Sequence, residues 1–180
     1  MMRLAIFGMA ALAVAGALTI GPVANARKKA KLPPARMAVA MLRTAQGDEV
    51  GRATVREVEG GLRVTIDARG VAPGTHGVHI HTVGRCDGPD FMTAGGHWNP
   101  TGSKHGMMNP AGPHQGDIPN LVIGKDGRGT VGAVVPGASF DGLLDQDGAA
   151  MVIHAAQDDL MTDPSGNSGA RVACGTFSAG

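Results

Sequence analysis

Between His79 and Asp117 the chain places His79, His81, His97, His105, His114 and Asp117, and His154 stands alone farther along, at the end of an apolar run. Five of the seven histidines therefore fall between His79 and His114, next to a carboxylate, a density that points to chemistry rather than scatter. Neutral imidazole suits copper and zinc, and a hard carboxylate adds an oxygen ligand for zinc. The absence of thiolate pairs argues against iron–sulfur clusters and zinc fingers. The set is large enough for more than one ion.

His79 and His81 are two residues apart, so in a strand both side chains leave the same face, with Cα atoms about 6.6 Å apart, within reach of one ion. Alternating histidines can also line a polar sheet face. Here Val78 and Ile80 point the other way, toward a core, and the segment runs straight into the histidine-rich loop, which favours a copper pair. His97, His105, His114 and Asp117 follow at spacings of eight, nine and three among Gly95, Gly96, Gly102, Gly106, Gly112 and Gly116. Such a backbone can wrap a small ion and offer it three nitrogens and one oxygen, which satisfies tetrahedral zinc. A loop this poor in apolar residues would also gain order from the metal. His154 ends Met151-Val152-Ile153, where a buried imidazole needs a partner; its standing as a ligand depends on the other residues.

The elements that must position these side chains read as strands. Met37–Met41, Val50–Val55 and Leu62–Ile66 alternate apolar with smaller or polar residues across the turns Gln46-Gly47-Asp48 and Glu59-Gly60-Gly61. Gly77–Thr82, Leu121–Ile123, Thr130–Val135, Ala149–His154 and Ala170–Phe177 follow. Short strands between glycine turns predict an all-β, antiparallel sandwich or barrel, and eight strands can close and hide their edges. Two connections exceed hairpin length, Val83 to Asn120 and Gln157 to Gly169, and loops that long in a compact domain are usually functional. With 29 glycines, 11 prolines and no tyrosine, long helices are hard to place.

The first 26 residues carry Arg3, an apolar run from Leu4 to Ile20 and the small-residue sequence Ala24-Asn25-Ala26. This reads as a secretory signal cleaved after Ala26, so the mature chain is expected in the periplasm or secreted. The run of about 17 residues, broken by glycines, falls short of a membrane span; an uncleaved anchor is the competing reading. Of 16 basic and 15 acidic side chains, losing Arg3 leaves a balance. Arg27, Lys28, Lys29, Lys31 and Arg36 form a basic, flexible tail over residues 27–36, so the body from Met37 to Gly180 is net negative by five. An acidic body argues against a nucleic-acid partner. Cys86 and Cys174, an even count in an exported chain, favour a disulfide over two free thiols. Closing a loop on the order of 90 residues would contribute about 4 to 5 kcal/mol through chain entropy.

The segments Gly77-Val78-His79-Ile80-His81, Gly95-Gly96-His97-Trp98-Asn99-Pro100, Lys104-His105-Gly106, Pro113-His114-Gln115-Gly116-Asp117, Val152-Ile153-His154 with Asp158-Asp159-Leu160, and Gly169-Ala170-Arg171-Val172-Ala173-Cys174-Gly175 stand in order from about Met37 to the end. In these the chain resembles the copper/zinc superoxide dismutases of the bacterial secreted type. The resemblance implies an eight-stranded Greek-key barrel with two long functional loops. It implies copper on His79, His81, His97 and His154, and zinc on His97, His105, His114 and Asp117, with His97 bridging the two ions. It further implies the Cys86–Cys174 disulfide, and an Asp158 that hydrogen-bonds ligands of both metals. His76 corresponds to a structural histidine and is left out of the ligand set.

The activity implied is dismutation of superoxide to dioxygen and hydrogen peroxide by a redox-cycling copper, with zinc holding the loop. Arg171 would dock the anion, since a guanidinium is always charged and presents a fork of donors. His97 would take up a proton when its copper bond breaks. The Gln157–Gly169 loop carries Asp158, Asp159 and Asp163 but no lysine, leaving Lys104 as a substitute for steering and a rate that falls with added salt. The competing reading is a non-catalytic copper-binding or carrier module on the same fold, supported by Met92, Met107 and Met108 near the loop, although methionine packing explains those residues too. Monomer and homodimer are both open.

Overall fold

The computed structural model describes residues 36–180. The expected signal segment and residues 27–35 of the expected tail lie outside them. One antiparallel sheet is built from β1 (Met37–Arg43), β2 (Glu49–Val58), β3 (Gly61–Arg69), β4 (Gly74–His81), β5 (Asp117–Ile123), β6 (Arg128–Pro136), β7 (Ala150–His154) and β8 (Arg171–Thr176), with a two-residue β9 (Ser178–Ala179). The lateral order is β5-β4-β7-β8-β1-β2-β3-β6, and β9 pairs with β1. The two ends of that order meet through the turn at Gly124, whose N–H donates to Arg128 O at 2.9 Å. They approach so closely that a Cβ on Gly129 would lie 2.3 Å from Val122 O. The eight expected strands thus form a nearly closed Greek-key barrel, the links from β3 to β4 and from β6 to β7 stepping across it.

Hydrophobic alternation sets the inner face. Val50, Ala53, Val55, Leu62, Val64 and Ile66 join Val78, Ile80, Ile118, Leu121, Met151 and Ile153 in one core. On β7 the opposite face is also apolar, because Ala150 and Val152 pack with Phe91, Ala94 and Cys174 in a second cluster outside the barrel. The segment from Cys86 to Gly95 covers this face, and the Cys86–Cys174 disulfide pins it across 88 residues with Cα atoms 5.7 Å apart.

Several strand ends shift by one to three residues from the sequence expectation, and two differences matter more. β5 begins at Asp117 rather than Leu121, which shortens the histidine loop and puts Asp117 directly opposite His79. Pro119 hides this start, since proline breaks a ladder unless it sits at an edge or a bulge. Here β5 ends the strand order, and the register slips between His76 and Val78 so that Pro119 opposes no residue. Arg36, expected at the end of a flexible tail, is instead held. Its Nε and Nη2 donate to the two Glu57 carboxylate oxygens at 3.0 Å each, and its guanidinium lies 4.8 Å from the Phe140 ring centroid.

Candidate metal centre

Every sequence-predicted ligand arrives at one place. His79 and His81 alternate on β4; the same strand sends Val78 and Ile80 into the core. His154 ends β7 and Asp117 opens β5. His97 comes from the long loop but is pinned to β4. It makes a bridge with His81, and the next residue, the buried Trp98, donates its N–H to Ile80 O at 2.8 Å. His105 and His114 follow on the same loop, and both are buried.

Two sets of ligand atoms converge, and His97 belongs to both. In the first, Asp117 Oδ1 lies 3.0 Å from His97 Nδ1, 3.1 Å from His105 Nδ1 and 3.3 Å from His114 Nδ1, while His97 Nδ1 and His114 Nδ1 are 3.4 Å apart. A tetrahedron with zinc bonds of about 2.0–2.1 Å has edges of about 3.3–3.4 Å. The 3.3 and 3.4 Å separations match such an edge, and two imidazole nitrogens facing each other at 3.4 Å make a poor hydrogen bond; the 3.0 and 3.1 Å contacts to Asp117 also lie within hydrogen-bond range. In the second set, His81 Nε2 and His154 Nε2 stand 3.4 Å apart. Among the described residues, His79 Nδ1 and His97 Nε2 are buried with no hydrogen-bond partner. An orphaned buried acceptor is costly, and nitrogens so placed could hold a metal ion. Ligand atoms of His79, His81, His97 and His154 all lie within 4.8 Å of one another, as do those of His79, His97, His105 and Asp117. His114 also belongs with the zinc-type set, its Nδ1 lying 3.3 Å from Asp117 Oδ1 and 3.4 Å from His97 Nδ1.

The outer contacts fix each ring. Asp158 accepts from His79 Nε2 through Oδ2 at 2.7 Å and from His105 Nε2 through Oδ1 at 3.0 Å, so one carboxylate ties the two sets together. His81 Nδ1 donates to Gly95 O at 2.9 Å and His154 Nδ1 to Gly169 O at 3.2 Å, which leaves each Nε2 as the free lone pair. Asp117 Oδ2 accepts the backbone N–H groups of Gly106 at 2.8 Å and His114 at 3.0 Å, which turns Oδ1 toward the three imidazoles. Gly166 closes over Asp158 at φ +61; a Cβ there would lie 1.7 Å from Asp158 Oδ1 and 2.7 Å from His105 Nε2, so only glycine fits. His76 is buried outside both sets, its ring nitrogens 2.8 Å from His154 O and 2.9 Å from Ala72 O.

Burial pushes His79 down to about 4, His81 to about 2 and His154 to about 3, so these imidazoles are neutral at pH 7, the state a metal requires. His105 behaves differently. Burial lowers it, but hydrogen bonds to Asp117 and Asp158 prevail and raise it to about 9. Burial acts to raise Asp117 and Asp158, yet hydrogen bonds from His105 and from the neighbouring histidines hold both well below the usual carboxylate range.

Arg171 starts β8 opposite His154. Its Nη1 donates to Phe91 O at 2.7 Å and its Nη2 to Gly95 O at 2.6 Å, the same carbonyl that orients His81. Phe91 holds the left-handed φ of 57°, uncommon for a bulky residue and stabilised here by the second apolar cluster. Lys104 does not stand free as a steering charge, because Asp163 Oδ2 lies 3.1 Å from its Nζ. Asp163 Oδ1 also accepts the His105 N–H at 2.8 Å, clamping the two long loops together.

The model of one family, described as copper/zinc superoxide dismutase, matches residues 49–177. The chain belongs to this family. It is 43% identical over 139 residues to the superoxide dismutase-like protein YojM of Bacillus subtilis, covering 73% of this chain and 71% of that protein. It is 39% identical over 138 residues to a Cu-Zn superoxide dismutase of Aquifex aeolicus, covering 73% and 81%. Among solved structures it is similar to an SOD-like protein from Bacillus subtilis, with 42% identity, a TM-score of 0.72, and coverage of 77% of this chain and 96% of that one. It is also similar to the Cu/Zn superoxide dismutase from Brucella abortus, with 27% identity, a TM-score of 0.65, and coverage of 79% and 99%.

Copper and zinc are the metals this dismutase family implies, and the donor chemistry of the two histidine sets fits them. Reading the sequence missed Asn120. Its Oδ1 accepts the Asp158 N–H at 2.9 Å and its Nδ2 donates to Asp158 O at 2.8 Å, a reciprocal clamp from β5 onto the carboxylate that joins the two sets. Asp163 and Phe91 give no signal in local spacing either: Asp163 accepts the distant His105 N–H, and Phe91 offers its own carbonyl to the distant Arg171 side chain.

Proposed function

We propose that this chain dismutates superoxide, holding copper on His79, His81, His97 and His154 and zinc on His97, His105, His114 and Asp117. The observation that carries the reading is the pair of orphaned nitrogens, His79 Nδ1 and His97 Nε2, beside a second set that His97 enters through Nδ1. Copper, when bound, supplies the one-electron exchange by which one superoxide is oxidised to dioxygen and a second is reduced, with two protons, to hydrogen peroxide. The protein's part is to receive the anion, to place protons and to keep the rings still. Arg171 docks superoxide: backbone carbonyls hold two of its nitrogens, and its charge stands across the strand from His154. His97 Nε2 can carry a proton while its Nδ1 remains among Asp117, His105 and His114. Asp158, clamped by Asn120, keeps His79 and His105 in one tautomer. Export is part of the proposal; it rests on the signal-like start and on a disulfide suited to an oxidising compartment.

A non-catalytic metal-binding reading draws on the name of the Bacillus subtilis relative, superoxide dismutase-like. A solved double mutant of an SOD-like protein from Bacillus subtilis replaces a tyrosine and a proline with histidine. The present chain carries a histidine or aspartate at each of the seven ligand positions proposed, with Arg171 opposite His154, and this supports the catalytic reading. The test is superoxide decay by full-length protein of known copper and zinc content. Turnover in proportion to copper supports dismutation. Arg171→Gln should keep the metals and lose about tenfold to a hundredfold in rate, from the ~1.5–3 kcal/mol that hydrogen bonds to charged groups contribute. Metal binding without turnover in the unsubstituted protein would leave the non-catalytic reading standing.

A further inference from the structure

Four exposed methionines flank the metal centre's loops: Met92 at 62%, Met107 at 47%, Met108 at 64% and Met161 at 43% exposure. Methionine as a core filler accounts for the fully buried Met151 but not for these exposed residues. The backbone brings three of the four together. Met108 N donates to Leu160 O at 2.9 Å and Asn109 Nδ2 to Met161 O at 3.2 Å. Gly106, beside Met107, packs so tightly that a Cβ would lie 2.7 Å from Met161 N. The Asp163 clamp on the His105 N–H locks the same two loops, so the backbone that carries Met107 and Met108 on one and Met161 on the other is held together. Asp159, which caps its own turn by accepting the N–H groups of Met161 and Thr162, adds negative charge beside them. Met92 sits apart, on the turn that holds Arg171.

We propose that Met107, Met108 and Met161 form a Cu(I)-binding site on the outer rim of the metal centre, gathering copper for it. Thioether sulfur is a soft donor that selects Cu(I) over zinc and over Cu(II), whereas the imidazoles and carboxylate of the centre do not discriminate in that way. A solvent-open site of three neutral sulfurs binds weakly enough to pass its ion inward.

The site is tested on full-length protein whose metal centre is filled and reduced under anaerobic conditions, with Cu(I) offered from a chromophoric Cu(I) chelator. One additional Cu(I) per chain is expected. The labelled methyl signals of Met107, Met108 and Met161 should shift, those of Met92 and Met151 should not, and zinc should shift none. The triple variant Met107→Leu, Met108→Leu, Met161→Leu changes only exposed side chains of similar volume. It should weaken the additional Cu(I) at least tenfold and slow copper entry into zinc-loaded, copper-free protein, while Met92→Leu does neither. No additional Cu(I), equal binding by the triple variant, or an unchanged entry rate would each overturn the proposal. The filled triple variant should still dismutate superoxide at the unsubstituted rate, so failure of the rim site and failure of the dismutase reading give different results.

Discussion

The two sides of the barrel are made of similar strands yet are covered differently. On β2 and β3 buried Val50, Ala53, Val55, Leu62, Val64 and Ile66 alternate with exposed or half-buried Arg52, Thr54, Arg56, Arg63, Thr65 and Asp67, so one face meets water. On β4 every residue from His76 to His81 is buried, and on β7 all five are. Their inner face joins the common core, while their outer face lies beneath the two long loops and carries the imidazoles. The first side is specified by hydrophobic alternation alone. The second needs partners that alternation does not encode: a disulfide, backbone carbonyls, two carboxylates and, in the function proposed, two metal ions.

The comparison breaks if damage to one side spreads to the other. Ile66→Ala empties core volume under β3 and should cost about 2–5 kcal/mol of unfolding free energy, read by denaturant unfolding, with copper and zinc content unchanged. Asp158→Asn should do the reverse. It removes a carboxylate that meets His79 and His105, so affinity for both metals should fall about tenfold to a hundredfold, with a smaller change in the stability of the metal-free protein. If Ile66→Ala released the metals as readily as Asp158→Asn, the two sides would be one cooperative unit.

The next effect sharpens the contrast through pH. Without metal, His105 is held between Asp117 and Asp158 and raised to about 9, above its unfolded value of about 6.5. Its charge therefore stabilises the metal-free fold fully below about pH 6.5, and that contribution is lost as pH rises through about 9. Zinc needs the neutral ring, so loading the metal-free protein at pH 7.5 should release about one proton per ion, falling toward none above about pH 10. Proton release measured with an indicator dye, flat across this range, would remove His105 from the ligand set. The smallest effect concerns steering. Because Lys104 is paired with Asp163 at the surface, Lys104→Gln should change the superoxide rate less than about twofold at low salt, as exposed pairs contribute little. A larger drop would make Lys104 the guide that the sequence suggested.

How much was legible follows the same division. The eight strands could be read because alternation and glycine turns are local signals, and the ligands because histidine spacing is. The early start of β5 was concealed by Pro119, whose tolerance depends on a register slip opposite Gly77. Asn120, Asp163 and Phe91 escaped because their roles are played through backbone atoms: the amide and carbonyl of Asp158, the amide of His105, and a carbonyl offered to Arg171. Such contacts depend on where loops land, and that is decided by the assembled barrel.

The most direct test of the centre proposed is whether His97 serves two ions at once. Full-length protein loaded with Cu(II) in both positions should show two coppers per chain by metal analysis but greatly reduced paramagnetic signal at low temperature, because one imidazole facing an ion through Nδ1 and another through Nε2 couples their spins. Two independent Cu(II) spectra, together accounting for two unpaired spins per chain, would contradict a shared ligand and with it the two-ion centre.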